Sequence, residues 1–442
     1  MNNINSTLKE KLSAIPRFEK SGKITQVVGL IIESEGPLAT IGEVCILKDK
    51  NGNVITKTEV VGFKDNNKIL SMVLGSTENI LPGMEIVSTG RTLSVNVGDA
   101  LLGRVIDGLG NPLDGLGDIN YTASRSIYAA PPNPLNRKRI KEIMPTGIRA
   151  IDGLITFGKG QRVGIFAGSG VGKSTLLGMI ARNTNADVNV ISLIGERGRE
   201  VREFIEKDLG KEGLARSIVV CATGDTPALV RIKSALFATS IAEHFRDKGA
   251  DVMLMMDSVT RLAMAQREVG LSIGEPPTTK GYTPSVFSLM QKTMERAGTS
   301  DVGSITGLYT VLVEGDDMNE PIADTARGIL DGHIVLDRKL AAANHFPAIN
   351  VLESISRVRM DITETEHKNN TAQIIELMAI YKEAEDLISV GAYKNGSNPK
   401  IDKSIKLIEP INQFLKQGIT EGDKFANTLE KMKTLLKLDY SY

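Results

Sequence analysis

The sequence predicts a three-part chain: a small all-β domain, an α/β domain on a parallel sheet, and a helical C-terminal domain. Three observations predict it. Short Val- and Ile-rich runs separated by turn signals fill the stretch from about Gly22 to Leu93. From Ile148, apolar runs alternate with helix-length segments. From about Asp361, apolar residues recur at three- and four-residue steps. The chain has 442 residues, room for two or three domains.

In the first part, "ITQVVGLIIES", "GEVCILKD", "VITKTEVVGF", "KILSMVL" and "GMEIVSTG" read as strands. Gly36-Pro37, Asn51-Gly52, Asn66-Asn67 and Pro82-Gly83 read as the turns between them. Regular short strands favour a small barrel or sandwich. "VIDGLGNPLDGLG" and "APPNPLNRKR" then carry Gly and Pro at a density that no helix or central strand accepts, so this stretch reads as a connector. In the second part, "RVGIFAG", "VNVISLIG", "SIVVCATG", "DVMLMMD", "LYTVLVEG" and "GHIVLD" are apolar on both faces. Such strands belong to a parallel sheet covered by helices. In the third part, Ile374, Leu377, Met378, Tyr381 and Leu387 share a helix face. "KNGSNP" breaks the run, and two further helical segments follow. We divide the chain into an N-terminal segment 1–21, a β domain 22–95, a connector 96–147, an α/β domain 148–360 and a helical domain 361–442.

Bulk properties exclude several classes. Lys+Arg and Asp+Glu both total 53, so the chain lacks the basic footprint of a nucleic-acid binder. Cys45 and Cys221 alone do not make a disulfide framework and read as reduced core thiols of a cytoplasmic protein. The four His residues form no zinc pattern. "MNNINSTLKEKLSAIPRF" has no apolar signal-peptide core, and no run reaches membrane-spanning length.

"AGSGVGKST", Ala167 to Thr175, stands between a strand and the helical "STLLGMIAR", the context of a phosphate-binding loop. Gly168, Gly170 and Gly172 let the backbone curl with its N–H groups inward, and the following helix adds its positive end. Lys173 reaches the β- and γ-phosphates, and the Ser174 hydroxyl can ligate Mg²⁺. Asp257 ends the strand "ADVMLMMD" about eighty residues later, where a carboxylate can hold Mg²⁺ through water. By itself such an Asp is as readily a helix cap.

"LIGERGREVREF" places six charges in the eight residues after Gly195, at the mouth of an apolar strand. Ligands of α/β sheets bind at that end. Hydrolysis needs a carboxylate to orient and polarise water, a role for Glu196, and Arg197 can neutralise the γ-phosphate. Arg199, Glu200, Arg202 and Glu203 read as a solvated helix with i,i+3 and i,i+4 pairing.

With these residues on the page the sequence resembles the catalytic subunits of rotary ATPases and their export-ATPase relatives. "GERGREV" at 195–201 and "AGSGVGKS" at 167–174 carry the likeness, and "PAINVLESIS", Pro347 to Ser356, matches the ATPase α/β signature. "ALLGRVIDGLGNPLDG" at 100–115, "GEPPTTKGYTPSVFSLMQKTMERAG" at 274–298 and "DLISVGAYKNGSNPKID" at 386–402 narrow it to bacterial type III export ATPases, flagellar or injectisome. The resemblance implies an N-terminal β-barrel, a RecA-like P-loop ATPase core and a C-terminal helical domain. It implies ATP as substrate and Mg²⁺ as cofactor. Position by position, it makes Gly168, Ser169, Gly170, Val171, Gly172, Lys173, Ser174 and Thr175 the phosphate loop, with Ser174 and Asp257 at the metal. Glu196 becomes the catalytic carboxylate, Arg197 its phosphate-facing neighbour and Arg261 an arginine of the site. Phe346 stands where relatives often have an adenine-stacking Tyr, and it keeps the π-face. Arg357 matches the arginine finger given to a neighbouring subunit.

In heterohexameric rotary ATPases the catalytic Glu and this Arg lie on different chains; here one chain carries both. The resemblance therefore implies a homohexamer with sites between copies. It further implies a flagellar export ATPase that couples hydrolysis to delivery and unfolding of substrates. Its partners are a stator-like regulator at the N-terminal "NSTLKEKLSAI", export chaperone–substrate complexes and a membrane export gate, with no nucleic acid. Its place is cytoplasmic, peripheral at the inner face of the cytoplasmic membrane. The alternative is an injectisome ATPase. The combination of Glu196 and Arg357 with "VGAYKNGSNPKID" argues against a rotary F-, V- or A-type catalytic subunit. Zero net charge argues against an RNA translocase, and Glu196 against a non-catalytic ring subunit. "EGDDMNEP", Glu314 to Pro321, reads as a structural or coupling loop, and "GEPPTTKGYTP" as either a substrate-touching loop near a ring axis or a plain connector.

Overall fold

The computed structural model describes residues 19–64, 68–313, 315 and 317–438. Contacts divide the chain into two units, with the boundary of the N-terminal unit at Leu93. That unit is a closed six-stranded barrel: β1 Ser21–Val28, β2 Ile31–Glu35, β3 Glu43–Lys48, β4 Val54–Lys64, β5 Lys68–Val73 and β6 Glu85–Thr92, in the order β1-β2-β5-β4-β3-β6. Closure leaves no open edge. Ile24, Ile32, Cys45, Leu47, Val60, Ile69 and Ile86 fill its interior. Burial pushes the Cys45 thiol up to about 12, so it packs as a small apolar group.

The second unit holds β7 Ser94–Val97, β8 Val105–Asp107, β9 Ala123–Ser126, β10 Arg162–Ala167, β11 Val188–Ile194, β12 Ser217–Ala222, β13 Asp251–Asp257, β14 Gly298–Thr299, β15 Ser304–Leu312, β16 Gly332–Leu336 and β17 Ile349–Ser356. The main sheet runs β17-β16-β10-β15-β13-β11-β12-β8. Every residue of β11 and β12 is buried, as the apolar runs require. The register aligns Leu336 with Ala167, Ala167 with Leu312 and Leu193 with Asp257. Residues far apart in sequence thus share one edge of the sheet.

Several strands depart from the sequence reading: "ITQVVGLIIES" splits into β1 and β2, and β7 pairs with β9, which lies inside the stretch read as a connector. The connector run "VIDGLGNPLDG" supplies β8, three residues that pair parallel with β12. An edge strand this short tolerates the Gly and Pro that follow it. The signature run supplies β17, antiparallel to β16, so the sheet is mixed. Another difference lies in the first C-terminal helix, Thr365–Ser389. Ile374 and Leu377 are buried, but Leu387 is 53% exposed and Ala384 takes the buried position. Helices Pro399–Leu415 and Phe425–Lys437 complete the bundle, with Asn398 capping the first of them through Lys400 N. Leu407, Ile411, Phe414, Met432 and Leu435 join the same core as the nucleotide-binding sheet. Among the described residues no helix is long and apolar enough to cross a membrane. The N-terminal "NSTLKEKLSAI" lies outside the described residues.

Candidate active site

The site is assembled at the carboxyl ends of β10, β11 and β13. Gly168 to Gly172 form the turn from β10 into the helix Lys173–Asn183. Gly170 and Gly172 have φ of 78° and 91°, the left-handed region that a side chain would strain. Val171 is buried, anchoring the loop, while Ser169 and Gly170 are exposed. The loop, Lys173, Ser174, Thr175, Glu196, Arg197, Arg261 and Arg338 border a cleft of about 620 Å³.

Lys173 stands at the centre. Its Nζ is 2.5 Å from Asp257 Oδ1 and 3.7 Å from Glu196 Oε1, the latter an electrostatic contact beyond hydrogen-bond reach. Asp257 is buried, and its Oδ1 also accepts from Thr310 Oγ1 at 2.7 Å. Glu196 Oε1 is buried and accepts no hydrogen bond. Burial pushes the Glu196 carboxyl up to about 7, reinforced by the Asp257 charge and opposed by Lys173. A carboxyl near neutrality with an uncommitted oxygen can take a proton from water.

The remaining residues are placed as follows. Arg261 reaches the cleft along the helix Val259–Ser272. Its Nε is buried without a hydrogen-bond partner. A Cβ on Gly195 would lie 3.2 Å from Arg261 Cβ, so the Gly lets this arginine lie against the strand end. Arg197 borders the cleft with an 81% exposed side chain and pairs with Glu200 at 3.3 Å. Arg202 pairs with Glu206 four residues on. The charged run after Glu196 is thus a solvated surface helix. Thr175 borders the cleft and lies near the Asp208 carboxyl. The Phe346 ring lies over the loop: its Cδ1 and Cε1 would be 3.7 Å from a Cβ on Gly172.

Arg357 is not in this cluster. It follows β17 at the level of Gly332, the start of β16, whereas the phosphate loop lies at the level of Leu336, the end of β16. Its guanidinium is exposed, with one long contact of 3.5 Å to the Arg327 carbonyl.

Two residues escaped the sequence reading. Thr310 orients Asp257, and its signal is a hydroxyl inside the apolar run "LYTVLV". Arg338 follows β16 by two residues, borders the cleft, and has no partner among the described residues; its signal is a cation just past a strand end. Of the "EGDDMNEP" loop, Glu314 and Asp316 lie outside the described residues, while Asp317 meets Lys280 of "GEPPTTKGYTP" at 3.8 Å.

The donor set fits a magnesium nucleotide. Ser174, Asp257 and Glu196 offer hard oxygen atoms, and the loop offers backbone N–H groups with no side chain at 170 or 172 to obstruct a polyphosphate.

The profile of the ATP synthase alpha/beta family nucleotide-binding domain matches residues 147–356. That of the T3SS EscN ATPase C-terminal domain matches 363–434, and that of the ATP synthase alpha/beta family beta-barrel domain matches 24–90. The flagellum-specific ATP synthase of Bacillus subtilis is 58% identical over 420 residues, 95% of each chain. The chain belongs to the flagellar and type III secretion ATPase family. The type 3 secretion system ATPase of Xanthomonas euvesicatoria is 48% identical over 98% of each chain. The solved structure of the assembled ATPase EscN with its central stalk EscO, from enteropathogenic E. coli, superposes with a TM-score of 0.87 at 45% identity. That match covers 94% of this chain and all of the other. The family shares the three-part build described above.

Proposed function

We propose that this family member hydrolyses ATP as the flagellar type III export ATPase, in a ring of six identical copies whose sites lie between neighbours. The higher identity to the flagellar relative favours this over the injectisome reading. The observation that carries the shared site is the separation of Arg357 from its own phosphate loop along β16. A finger there serves a nucleotide held by another copy.

The loop Gly168–Thr175 cradles the triphosphate, and the bound phosphates draw the Lys173 ammonium from Asp257. Ser174 and Asp257 would hold Mg²⁺, which would supply positive charge against the triphosphate. Glu196 takes the proton of the attacking water. Arg261, Arg197 and Arg338 stand on the phosphate side, Phe346 stacks on the base, and the neighbour's Arg357 meets the charge that develops in the transition state. The assembled relative with its stalk supports the ring and a regulator. Export chaperone–substrate complexes are the cargo, and the site of action is the cytoplasmic face of the membrane export gate.

Mixing inactive variants tests the shared site. Glu196→Gln and Arg357→Ala chains each hydrolyse poorly alone. Randomly mixed in equal amounts, about a quarter of interfaces pair an intact Glu with an intact Arg, so about a quarter of parental turnover returns. Turnover that stays absent at every mixing ratio refutes a site shared between copies.

A further inference from the structure

The Phe346 carbonyl accepts a hydrogen bond from the main-chain N–H of Gln417 at 2.8 Å. Gln417 belongs to residues 416–424, which link the helices Pro399–Leu415 and Phe425–Lys437. It is 5% exposed. Its carboxamide is fully engaged: Oε1 accepts from Arg149 N at 3.0 Å, while Nε2 donates to the Gly147 and Glu421 carbonyls at 2.7 and 2.8 Å. Those three bonds, together with Arg149 on the Lys416 carbonyl of the same peptide group, set the direction of the N–H that Phe346 receives.

The same loop reaches the far end of the phosphate-loop helix. Arg182 Nη2 donates to the Ile419 carbonyl at 2.5 Å. A Cβ on Gly422 would overlap Asn183, the last residue of that helix. One segment of the helical domain therefore touches both the base-side wall and the helix that carries Lys173.

We propose that Gln417 is a positioning residue for nucleotide-base recognition, holding Phe346 over the phosphate loop and tying the base site to the helical domain. The inference rests on the reading of Phe346 as the base-stacking residue. The loop frame does not depend on Gln417 alone. Arg149 binds the Phe414 carbonyl at 2.7 Å, the Lys416 carbonyl and the Glu421 carboxylate, and Asp423 N reaches the Gly147 carbonyl. Arg149 on the Lys416 carbonyl also holds the peptide group that bears the Gln417 N–H, so loss of the carboxamide bonds removes one of its two anchors, loosens Phe346 and leaves the loop in place.

The test uses the full chain with Gln417→Glu and Gln417→Met, each with and without Phe346→Ala. Competitive inhibition of ATP turnover is measured with ADP and with inorganic tripolyphosphate, which carries phosphates and no base. The expected result is an ADP inhibition constant raised about fivefold, the worth of roughly one net hydrogen bond. The tripolyphosphate constant stays unchanged, and the ADP effect disappears in the Phe346→Ala background. Equal weakening of both inhibitors, or an effect undiminished without Phe346, overturns the proposal, because a merely structural Gln417 gives that pattern. Unfolding of both Gln417 variants overturns it as well, since the Arg149 frame is argued to hold. If Phe346→Ala binds ADP as the parent does, the base-stacking reading falls first. If Phe346→Ala weakens ADP and neither Gln417 variant does, only the present inference falls.

Discussion

Glu196→Gln separates chemistry from stability in a way that only a buried, uncommitted carboxylate permits. The Glu196 carboxyl lies at about 7 against an ordinary 4.5, with burial the main cause. That difference corresponds to about 3 kcal/mol between the charged and neutral forms. Its side chain is 14% exposed, so solvent screens little of it. The sign follows from linkage: the folded state binds this proton more tightly than the unfolded chain. Its contribution is complete below pH 4.5 and is lost as pH rises through about 7. Gln has no proton to lose. The variant is therefore expected to gain stability over the parent progressively between pH 5 and 7, levelling near 3 kcal/mol above pH 7.5. Turnover moves the opposite way, falling about 10²- to 10⁴-fold with the loss of the base, while ATP affinity stays within about threefold because the loop contacts remain. The parental kcat/KM, which reports the free enzyme, should rise through pH about 7, and this limb should vanish in the variant. Urea unfolding followed by far-UV circular dichroism, at fixed pH values from 5 to 8.5, measures the first effect; the chain has no Trp for fluorescence. Parallel stability curves for the two chains across that range would refute the reasoning, and so would a variant that turns over normally.

Arg338→Ala should raise the KM for ATP about threefold to tenfold with little change in kcat, the worth of one partly exposed charge-assisted contact. The difference from the parent should shrink as salt is raised, and an unchanged KM removes Arg338 from the site. Gly172→Ala places a Cβ at φ 91°, 3.7 Å from the Phe346 ring. It should cost about 1–2 kcal/mol of stability and weaken ADP binding, read by thermal unfolding with and without ADP; full parental stability would show that the loop relaxes around a side chain.

The strands that carry the site were legible because each is a short, mostly apolar run followed closely by a charged residue. "RVGIFAG", "VNVISLIG" and "DVMLMMD" appear as β10, β11 and β13, with Lys173, Glu196 and Asp257 at their carboxyl ends. Alternation, burial and turn chemistry sufficed there. Thr310 was invisible for a different reason. Its role depends on the β13–β15 register, which sets Met256 beside Tyr309 and so Thr310 beside Asp257, and no local pattern encodes register between strands more than fifty residues apart. Strand β8 was hidden because an edge strand of three residues has no periodicity to read. Gln417 was hidden because it sits in a loop and its partners, Gly147, Arg149 and Phe346, are scattered along the chain. What the sequence withholds is the pairing of distant elements.

That same pairing supports the proposal that one copy does not suffice. β16 has five residues and a rise of about 3.3 Å each, so about 13 Å separates its ends. The phosphate loop is level with one end, and Arg357 with the other, on an antiparallel neighbour that reverses the chain direction. An arginine side chain spans only about half that distance, so the guanidinium of a copy does not reach the γ-phosphate that its own Lys173 holds. Rotation of side chains does not close the gap; on the proposed reading a second copy presents its β17 end to the first copy's cleft and adds Arg357 to the Lys173, Arg261 and Arg338 already there. Each chain then offers a binding cleft at one end of its sheet and a finger at the other. Two such unlike surfaces make a head-to-tail contact, which closes into a ring when the rotation between neighbours allows. On this proposal catalysis and assembly draw on one geometric fact, the direction of β17 relative to β16.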